Sequence, residues 1–480
     1  MPSSKFGLSQ RDLDVEVRVL AAGVLSSAGR SSRARQVALS SLNAMRDRSG
    51  FNKGTLCNIL SYSEAVLGDV PAIRAASRLG YENHNRAKSI FGITYSELLT
   101  AFADYEAGDP FKAEHHLRQG RDFVQASLGK GSYAEALLSI VESQIKYDWN
   151  QLAMAKELLD ASFPVVEQNG TVFFVLVGGI LRAKLEAELG SSKLAIELLD
   201  SLSTAENKQY PMTMRHCILD EKVRILLKSD DLISAQVALR SAGIDPEELG
   251  HINREELSIG DIAGLMAVSR VYVAEARYPQ AIGILKELEA DALNRERTRS
   301  WIGISALMSI AYWKSGNKSE SANVLLKALE KSASISSVRS FLDIGTDILQ
   351  PLRQVRKMYG KISREPSVVS FCSTLIQIFE NEAAEKVDGS AVTNDAGSLT
   401  SLSVEQSELL EPLTERENEI AMLLADGMTN SRISRSLDVS TETIKWHLKN
   451  IYQKLGVSNR TQAVIALTGQ RSFLGTPDQK

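Results

Sequence analysis

The feature that most constrains this chain is a pattern that returns about every 40 residues through its first three-quarters. A small or polar turn is followed about five residues later by alanine, and then by leucine or another apolar residue three and four positions on. The clearest copies are Gly190–Leu199 (GSSKLAIELL), Ala276–Leu285 (ARYPQAIGIL) and Gly316–Leu326 (GNKSESANVLL). Weaker copies start at Gly29, Gly68, Gly108, Asp148 and Asp230, and each turn is preceded by a second helix-period run such as Leu181–Leu189 or Ile304–Trp313. The spacing predicts eight or so antiparallel helix pairs joined by tight turns. Alanine after the turn lets the two helices approach closely, and the leucine pair beyond it, Leu198 and Leu199 for example, fills the groove to the next pair. No pair can bury its apolar face alone, so the pairs must stack into a superhelix. An irregular helical bundle would not sustain such a period. The wider interval between Asp230 and Ala276 places an insertion near Gly243–Gly260, with Pro246 and Gly250 marking a loop.

With 31 glycines and 11 prolines in 480 residues, the composition favours helices, and 44% hydrophobic with 24% charged residues is that of a soluble globular protein of several domains. The fold expected is all-α. The solenoid spans 1–345, terminal capping helices follow at 346–381, and a Ser-, Gly-, Thr- and Asp-rich stretch without periodicity, 382–408, reads as a flexible linker. A small separate domain occupies 409–480. The N-terminus lacks the apolar core of a signal peptide. The most apolar run, Val172–Leu181, is too short to cross a bilayer. Cys57, Cys217 and Cys372 are far apart in sequence and fit neither a disulfide framework nor a paired-cysteine metal motif, so a reducing cytoplasm is the expected compartment, with no membrane partner.

Four short helices can be read in the last domain from punctuation alone. Thr414 and Glu417 have capping-box spacing, Ile420, Leu423 and Leu424 form an apolar face, and Gly427 is a stop. Thr429 can cap a second helix with Ile433 and Leu437 inward. The turn Asp438-Val439-Ser440 follows, and Ser440 can cap a third helix whose stripe is Ile444, Leu448, Ile451 and Leu455. A fourth runs from about 459 to 467. At about 100° per residue, Glu442, Trp446, Lys449 and Gln453 lie opposite the third helix's apolar stripe, flanked by Thr443, Lys445 and Asn450. Such a helix presents cations and hydrogen-bonding groups outward, as a helix entering the DNA major groove requires. The whole chain has net charge −4, yet Met428–Arg471 holds seven basic residues against two acidic ones. That is a local footprint for a polyanion.

This stretch resembles the DNA-binding domain of LuxR-type transcription regulators. The resemblance rests on Leu413-Thr414-Glu415-Arg416-Glu417, Gly427, Asn430, Ile433, Ser440, Thr443-Ile444-Lys445, His447, Asn450-Ile451, Lys454-Leu455-Gly456, Arg460 and Ala463-Val464. It implies that Lys445, Trp446 and Lys449 face the bases. Thr414, Asn430, Ser440, Thr441, Thr443 and His447 would lie near phosphates or buttress the turn, and Arg416 and Asn450 would complete the DNA-binding set. It further implies that Ala463, Val464 and Leu467 of the fourth helix form a dimer contact. Trp446 stands where many relatives carry a small residue. The tetratricopeptide-like (TPR-like) repeats, the segment RSFLDIGTDILQPL, a closing helix and this domain, in that order, resemble the C-terminal part of the MalT-type regulators. That resemblance implies an activator working with RNA polymerase, a superhelix sensing a small-molecule inducer or protein partner, and a homodimer on double-stranded DNA. No G-x-x-x-x-G-K-[ST] loop occurs in the sequence, so ATP-driven switching is not expected.

Other chemistries find little support. His115-His116 and His216-Cys217 are adjacent pairs whose side chains diverge by about 100° on a helix, so neither suits a single metal ion. No nucleophile–base arrangement is recognisable, and no cofactor or catalytic residue is expected. Tyr147, Trp149, Trp301, Tyr312 and Trp313 fall on repeat helices, as packing residues or as part of a concave ligand surface. The alternative to a regulator is a TPR-type scaffold whose last domain mainly pairs with another protein. Sequence-dependent DNA binding separates the two.

Overall fold

The computed structural model describes residues 10–45, 50–204, 212–244, 257–359 and 366–387, and in the C-terminal segment 415–425, 428–437, 439, 441–454, 460, 463–464 and 467. Among them every regular element is helical. The first sixteen helices form eight consecutive pairs: α1 (Gln10–Ser27) with α2 (Ser31–Ala44), α3 (Gly50–Leu67) with α4 (Val70–Arg86), α5 (Ile90–Glu106) with α6 (Pro110–Leu128), α7 (Tyr133–Asp148) with α8 (Leu152–Asn169), α9 (Val172–Leu189) with α10 (Ser192–Thr204), α11 (Met212–Lys228) with α12 (Leu232–Ser241), α13 (Ile259–Ala274) with α14 (Tyr278–Asn294), and α15 (Thr298–Lys314) with α16 (Lys318–Ile335). The turns fall where the repeat places them, and the long connection between α12 and α13 covers the expected insertion.

One backbone device makes all eight turns. The amide that opens the second helix donates to a carbonyl five residues back: Arg30 to Leu25, Asp69 to Glu64, Asp109 to Asp104, Gln151 to Lys146, Ser191 to Glu186, Asp231 to Leu226, Arg277 to Tyr272 and Asn317 to Tyr312, at 2.8–3.1 Å. This is the Schellman bond, and in seven of the eight turns the preceding residue is left-handed, Gly190 (φ −155°) being the exception. Glycine fills that place at Gly68 and Gly108 (φ 75° and 80°), whereas Asn150, Asp230 and Ala276 adopt φ near 60° without it. Asp69, Asp109, Asp231 and Asn317 then cap the second helices with their side chains.

The repeat's alanines, Ala34, Ala113, Ala155, Ala195, Ala235, Ala281 and Ala322, are completely buried, as are Leu117, Leu199, Leu285 and Leu325 a turn further on. Leu198 is only partly buried, packed against the same core as Leu199. From α3 onward the odd helices are the more buried of each pair, α13 burying eleven residues and α14 five, whereas α1 is largely exposed. From α3 onward the odd helices therefore make the inner layer.

The superhelix winds back on itself. Arg295 Nη1 donates to the Leu67 carbonyl at 2.7 Å, Trp149 Nε1 to Ile335 at 3.0 Å, and the Val338 amide to Asp148 at 3.0 Å, so turns of the early pairs meet turns of the late ones. After α16 come a one-turn helix α17 (Arg339–Leu342), a 3-10 turn (Thr346–Ile348), α18 (Leu349–Tyr359) and α19 (Pro366–Val387). The helical structure thus runs six residues past the expected start of the linker at 382. Asn381–Val387 reads NEAAEKV, and its alanine, glutamate and lysine are strong helix formers. The rest of that stretch, 388–408, lies outside the described residues. The chain divides into two compact units, Met1–Val355 and Arg356–Lys480, with the break inside α18.

In the C-terminal domain α20 (Glu415–Ala425), α21 (Asn430–Ser436) and α22 (Thr441–Lys454) pack mutually. Arg460, Ala463, Val464 and Leu467 are helical as well. The core is Ile420, Ala421, Leu424, Ile433, Ile444, Leu448, Ile451 and Ala463, with Leu423 and Leu437 partly buried against it. The stripe read from the sequence is therefore the buried one, apart from Leu455, which lies outside the described residues. No helix among the described residues is long and apolar enough to cross a membrane.

Candidate nucleic-acid interface and sensor cavity

Burying Ile444, Leu448 and Ile451 fixes the rotation of α22 and turns Lys445 to solvent, with Thr443 and His447 half-buried at the sides. Arg432 and Arg435 of α21 are exposed. Thr429 accepts a hydrogen bond from the Arg432 amide, so α21 starts at the cap the sequence indicated. Thr441, Trp446, Lys449 and Asn450 belong to α22 by backbone. Thr414 and Ser440 lie outside the described residues, and with Thr414 the proposed capping box.

Several candidate residues turn out to work inside the domain. Arg416 donates to Glu419 at 2.6 Å and to the Leu437 carbonyl at 3.0 Å, tying α20 to the end of α21. Asn430 Oδ1 accepts from Arg460 at 3.3 Å, and the same guanidinium donates to the Met428 carbonyl at 2.6 Å. Lys454 Nζ reaches the buried Glu417 carboxylate at 2.8 Å, fastening the end of α22 to α20. Lys454 and Arg460 had been counted in the basic footprint. Both are engaged within the fold, which leaves Arg432, Arg435 and Lys445 as its exposed described cations. Ala463 is fully buried in the domain's own core, so a dimer contact at this helix would rest on the partly buried Val464 and Leu467.

The second site lies within the superhelix, and sequence reasoning missed its polar residues. A cavity of about 350 Å³ is lined by apolar side chains such as Phe102, Phe173 and Met266 and by Arg224, Arg270 and Arg299 with their carboxylate partners. On one side Arg299 donates to Asp148 at 2.8 Å and to Glu106 at 3.2 Å, and lies 4.7 Å over the Tyr105 ring, whose hydroxyl donates to Asp148. On the other, Arg339 is almost wholly buried and donates to Asp343 at 2.7 Å, to Tyr147 at 3.2 Å and to Asn150 at 3.2 Å, with Glu188 at 2.7 Å. Arg224 bonds Glu221 and, at 2.9 Å, the Asp343 carbonyl. Tyr147 donates to the Asp343 carboxylate at 3.0 Å.

Burial alone would raise the pKa of Asp343, but Arg339, Arg224 and Lys184 hold it well below the carboxylate range. Glu188 and Glu221 are likewise lowered: burial pushes them up, and their guanidinium and ammonium neighbours push them further down. These groups come from α7, α9, α11 and α17, so no local spacing could reveal them. The one available signal was Arg339 and Asp343 themselves, opposite charges four apart in the otherwise apolar RSFLDIG. Tyr147, noted as a packing or ligand-surface aromatic, belongs to this clasp. Trp149 stacks near Phe111 and helps close the superhelix.

The MalT-like TPR region matches residues 15–358 and the bacterial regulatory proteins of the luxR family match 411–467. Among curated relatives, the HTH-type transcriptional regulator MalT of Yersinia pestis (strain Pestoides F) is 29% identical over 198 residues, 41% of this chain and 22% of the relative. MalT of Yersinia enterocolitica serotype O:8 / biotype 1B has the same figures, so the aligned part spans about a fifth of each relative. Among solved structures, a Rap protein complexed with competence and sporulation factor has a TM-score of 0.50 at 11% identity, covering 78% of this chain and 99% of that one, a likeness of fold. The turns, the inner and outer layers and the trihelical C-terminal core agree with these matches, and the chain belongs to the MalT-like TPR family, carrying after its repeats the DNA-binding domain of the LuxR-type bacterial regulators.

Proposed function

We propose that the chain is a DNA-binding transcription regulator, an activator whose superhelix senses a small molecule or a protein partner and controls promoter binding as a dimer, with RNA polymerase as its downstream partner. The observation that carries this reading is the orientation of α22: its apolar stripe is spent on the core, which leaves Lys445 outward on the face that also carries Trp446 and Lys449 in sequence. Lysine can donate to guanine O6 or N7, and an apolar ring can meet the thymine methyl. The sensing part of the reading is supported by the central cavity, whose mixed apolar wall and paired charges suit a small polar molecule that can insert between a guanidinium and its carboxylate.

One LuxR-type domain covers a half-site. Two domains held together raise each other's effective concentration on DNA. Selection from randomised duplexes with the full chain tests the reading. It should enrich a site of two half-sites about one helical turn apart, and uniform retention of all sequences would reject base recognition. A fragment from about residue 411 onward should bind the selected site more weakly, with no response to ligand. Equal affinity of fragment and full chain under all conditions would remove the superhelix as the switch. The TPR-scaffold alternative would leave the full chain without sequence preference.

A further inference from the structure

A second cavity, of about 370 Å³, lies toward the N-terminal end of the repeat array, between α1, α3, α4, α5 and the start of α9. It contains none of the ionic groups of the central cavity, and among the described residues no charged side chain lines it. Its walls are the rings of Phe51, Tyr62, Phe91 and Tyr95, and Phe51 and Phe91 are about half exposed, open to solvent.

His84 is set into this wall. It is 2% exposed, and neither ring nitrogen makes a well-formed hydrogen bond. Burial lowers its pKa, an effect only partly opposed by the backbone of Gly54, so the ring is held neutral, one nitrogen a donor and the other an acceptor. The fold makes room for it deliberately. A Cβ at Gly92 would come within 2.2 Å of the imidazole, and one at Gly54 within 2.7 Å, so two glycines on α5 and α3 clear a slot for the ring. The Thr171 hydroxyl on the same wall is engaged by the Tyr62 and Tyr95 hydroxyls. The neighbouring Asn58 amide is likewise satisfied by Gly92 and Ser96. Buried polar groups without partners cost free energy that a bound molecule can recover.

We propose that this cavity is a binding site for an uncharged, ring-containing small molecule bearing a hydroxyl or carbonyl group, which stacks among the four aromatic rings and hydrogen-bonds His84. A charged ligand is disfavoured because no described residue of the wall would neutralise it. The volume falls in the range of small-molecule pockets. The inference is independent of DNA recognition.

The test uses the full chain, 1-naphthol as probe, and naphthalene-1-sulfonate and naphthalene as comparators, by isothermal titration and by quenching of tyrosine emission. Saturable 1-naphthol binding is expected, at least tenfold tighter than the sulfonate. Gly23→Phe projects a ring into the cavity from α1, where an added Cβ has no neighbour nearer than 3.9 Å, and should abolish binding with an unchanged melting temperature. His84→Leu should weaken 1-naphthol at least fivefold while leaving naphthalene unaffected. Absence of saturable binding, binding of the sulfonate as tightly as of 1-naphthol, or indifference to Gly23→Phe would each overturn the proposal. Equal loss of 1-naphthol and naphthalene in His84→Leu would reject the hydrogen bond.

Discussion

The superhelix and the C-terminal domain use arginine and lysine in opposite ways. In the first, Arg339 and Arg224 are buried against Asp343, Glu188 and Glu221. In the second, Arg432, Arg435 and Lys445 stand in solvent while Lys454 and Arg460 fasten the helices. A buried charge is a structural commitment, because losing its partner strands the other ion in a medium of low dielectric. A cation at the surface keeps much of its hydration and costs the fold little. The same residue types are thus buried ionic partners in one region and, in the other, are divided between surface positions and ties between helices.

The sharpest way to break this contrast is at Arg339. Arg339→Ala removes the main counter-ion of Asp343 and Glu188, leaving them to Lys184, Arg224 and Lys228, and should cost about 3–5 kcal/mol in urea unfolding of the superhelix; a change below about 1 kcal/mol would show the clasp to be ornamental. Acid probes the same groups. A carboxyl whose folded pKa is depressed stabilises the fold above its unfolded value and loses that contribution as pH falls through the folded one. The urea midpoint should therefore decline as the pH drops below about 4, where unfolded carboxyls begin to take up protons, and decline less steeply in Arg339→Ala. Identical slopes would remove the clasp from the acid response.

Next comes the apolar core. Leu199→Ala should cost about 2–5 kcal/mol, and Leu198→Ala distinctly less because its side chain is only partly buried. Equal losses would mean that the packing around α10 differs from that described. At the DNA-binding domain the effect moves from stability to affinity. Lys449→Ala should weaken binding to a selected site by about 1–3 kcal/mol, with a smaller loss on random DNA, measured by fluorescence anisotropy. An equal loss on both would make it a phosphate contact. The smallest stability change is expected for Arg432→Ala, within about 0.5 kcal/mol, while its affinity for all duplexes and the salt dependence of binding both fall. A thermal shift larger than its effect on DNA binding would place Arg432 with Lys454 and Arg460 among the residues that hold the domain together.

The parts of this molecule legible in its sequence are those set by neighbours along the chain. A helix turn needs a left-handed residue and a cap within a few positions, and a buried stripe needs apolar residues at helical spacing. Hence the eight turns, the alanine and leucine places and the core of α20, α21 and α22 could all be read beforehand. The end of α19 was missed because polar composition was taken for a linker although its residues favour a helix. What only the tertiary structure decided are the groupings that join residues distant in the chain. Tyr147, Glu188, Arg224 and Arg339 meet because the superhelix winds back on itself. The His84 slot exists because two glycines from different helices face one ring. Arg416, Asn430, Lys454 and Arg460 are tied to other elements of the domain by the way its short helices pack. A repeat is a local property and survives in one dimension, as do the close pairs Arg339–Asp343 and Glu221–Arg224, whereas the meeting of those pairs with each other and with Glu188 and Tyr147 is a statement about three-dimensional distance, which no spacing along the chain encodes.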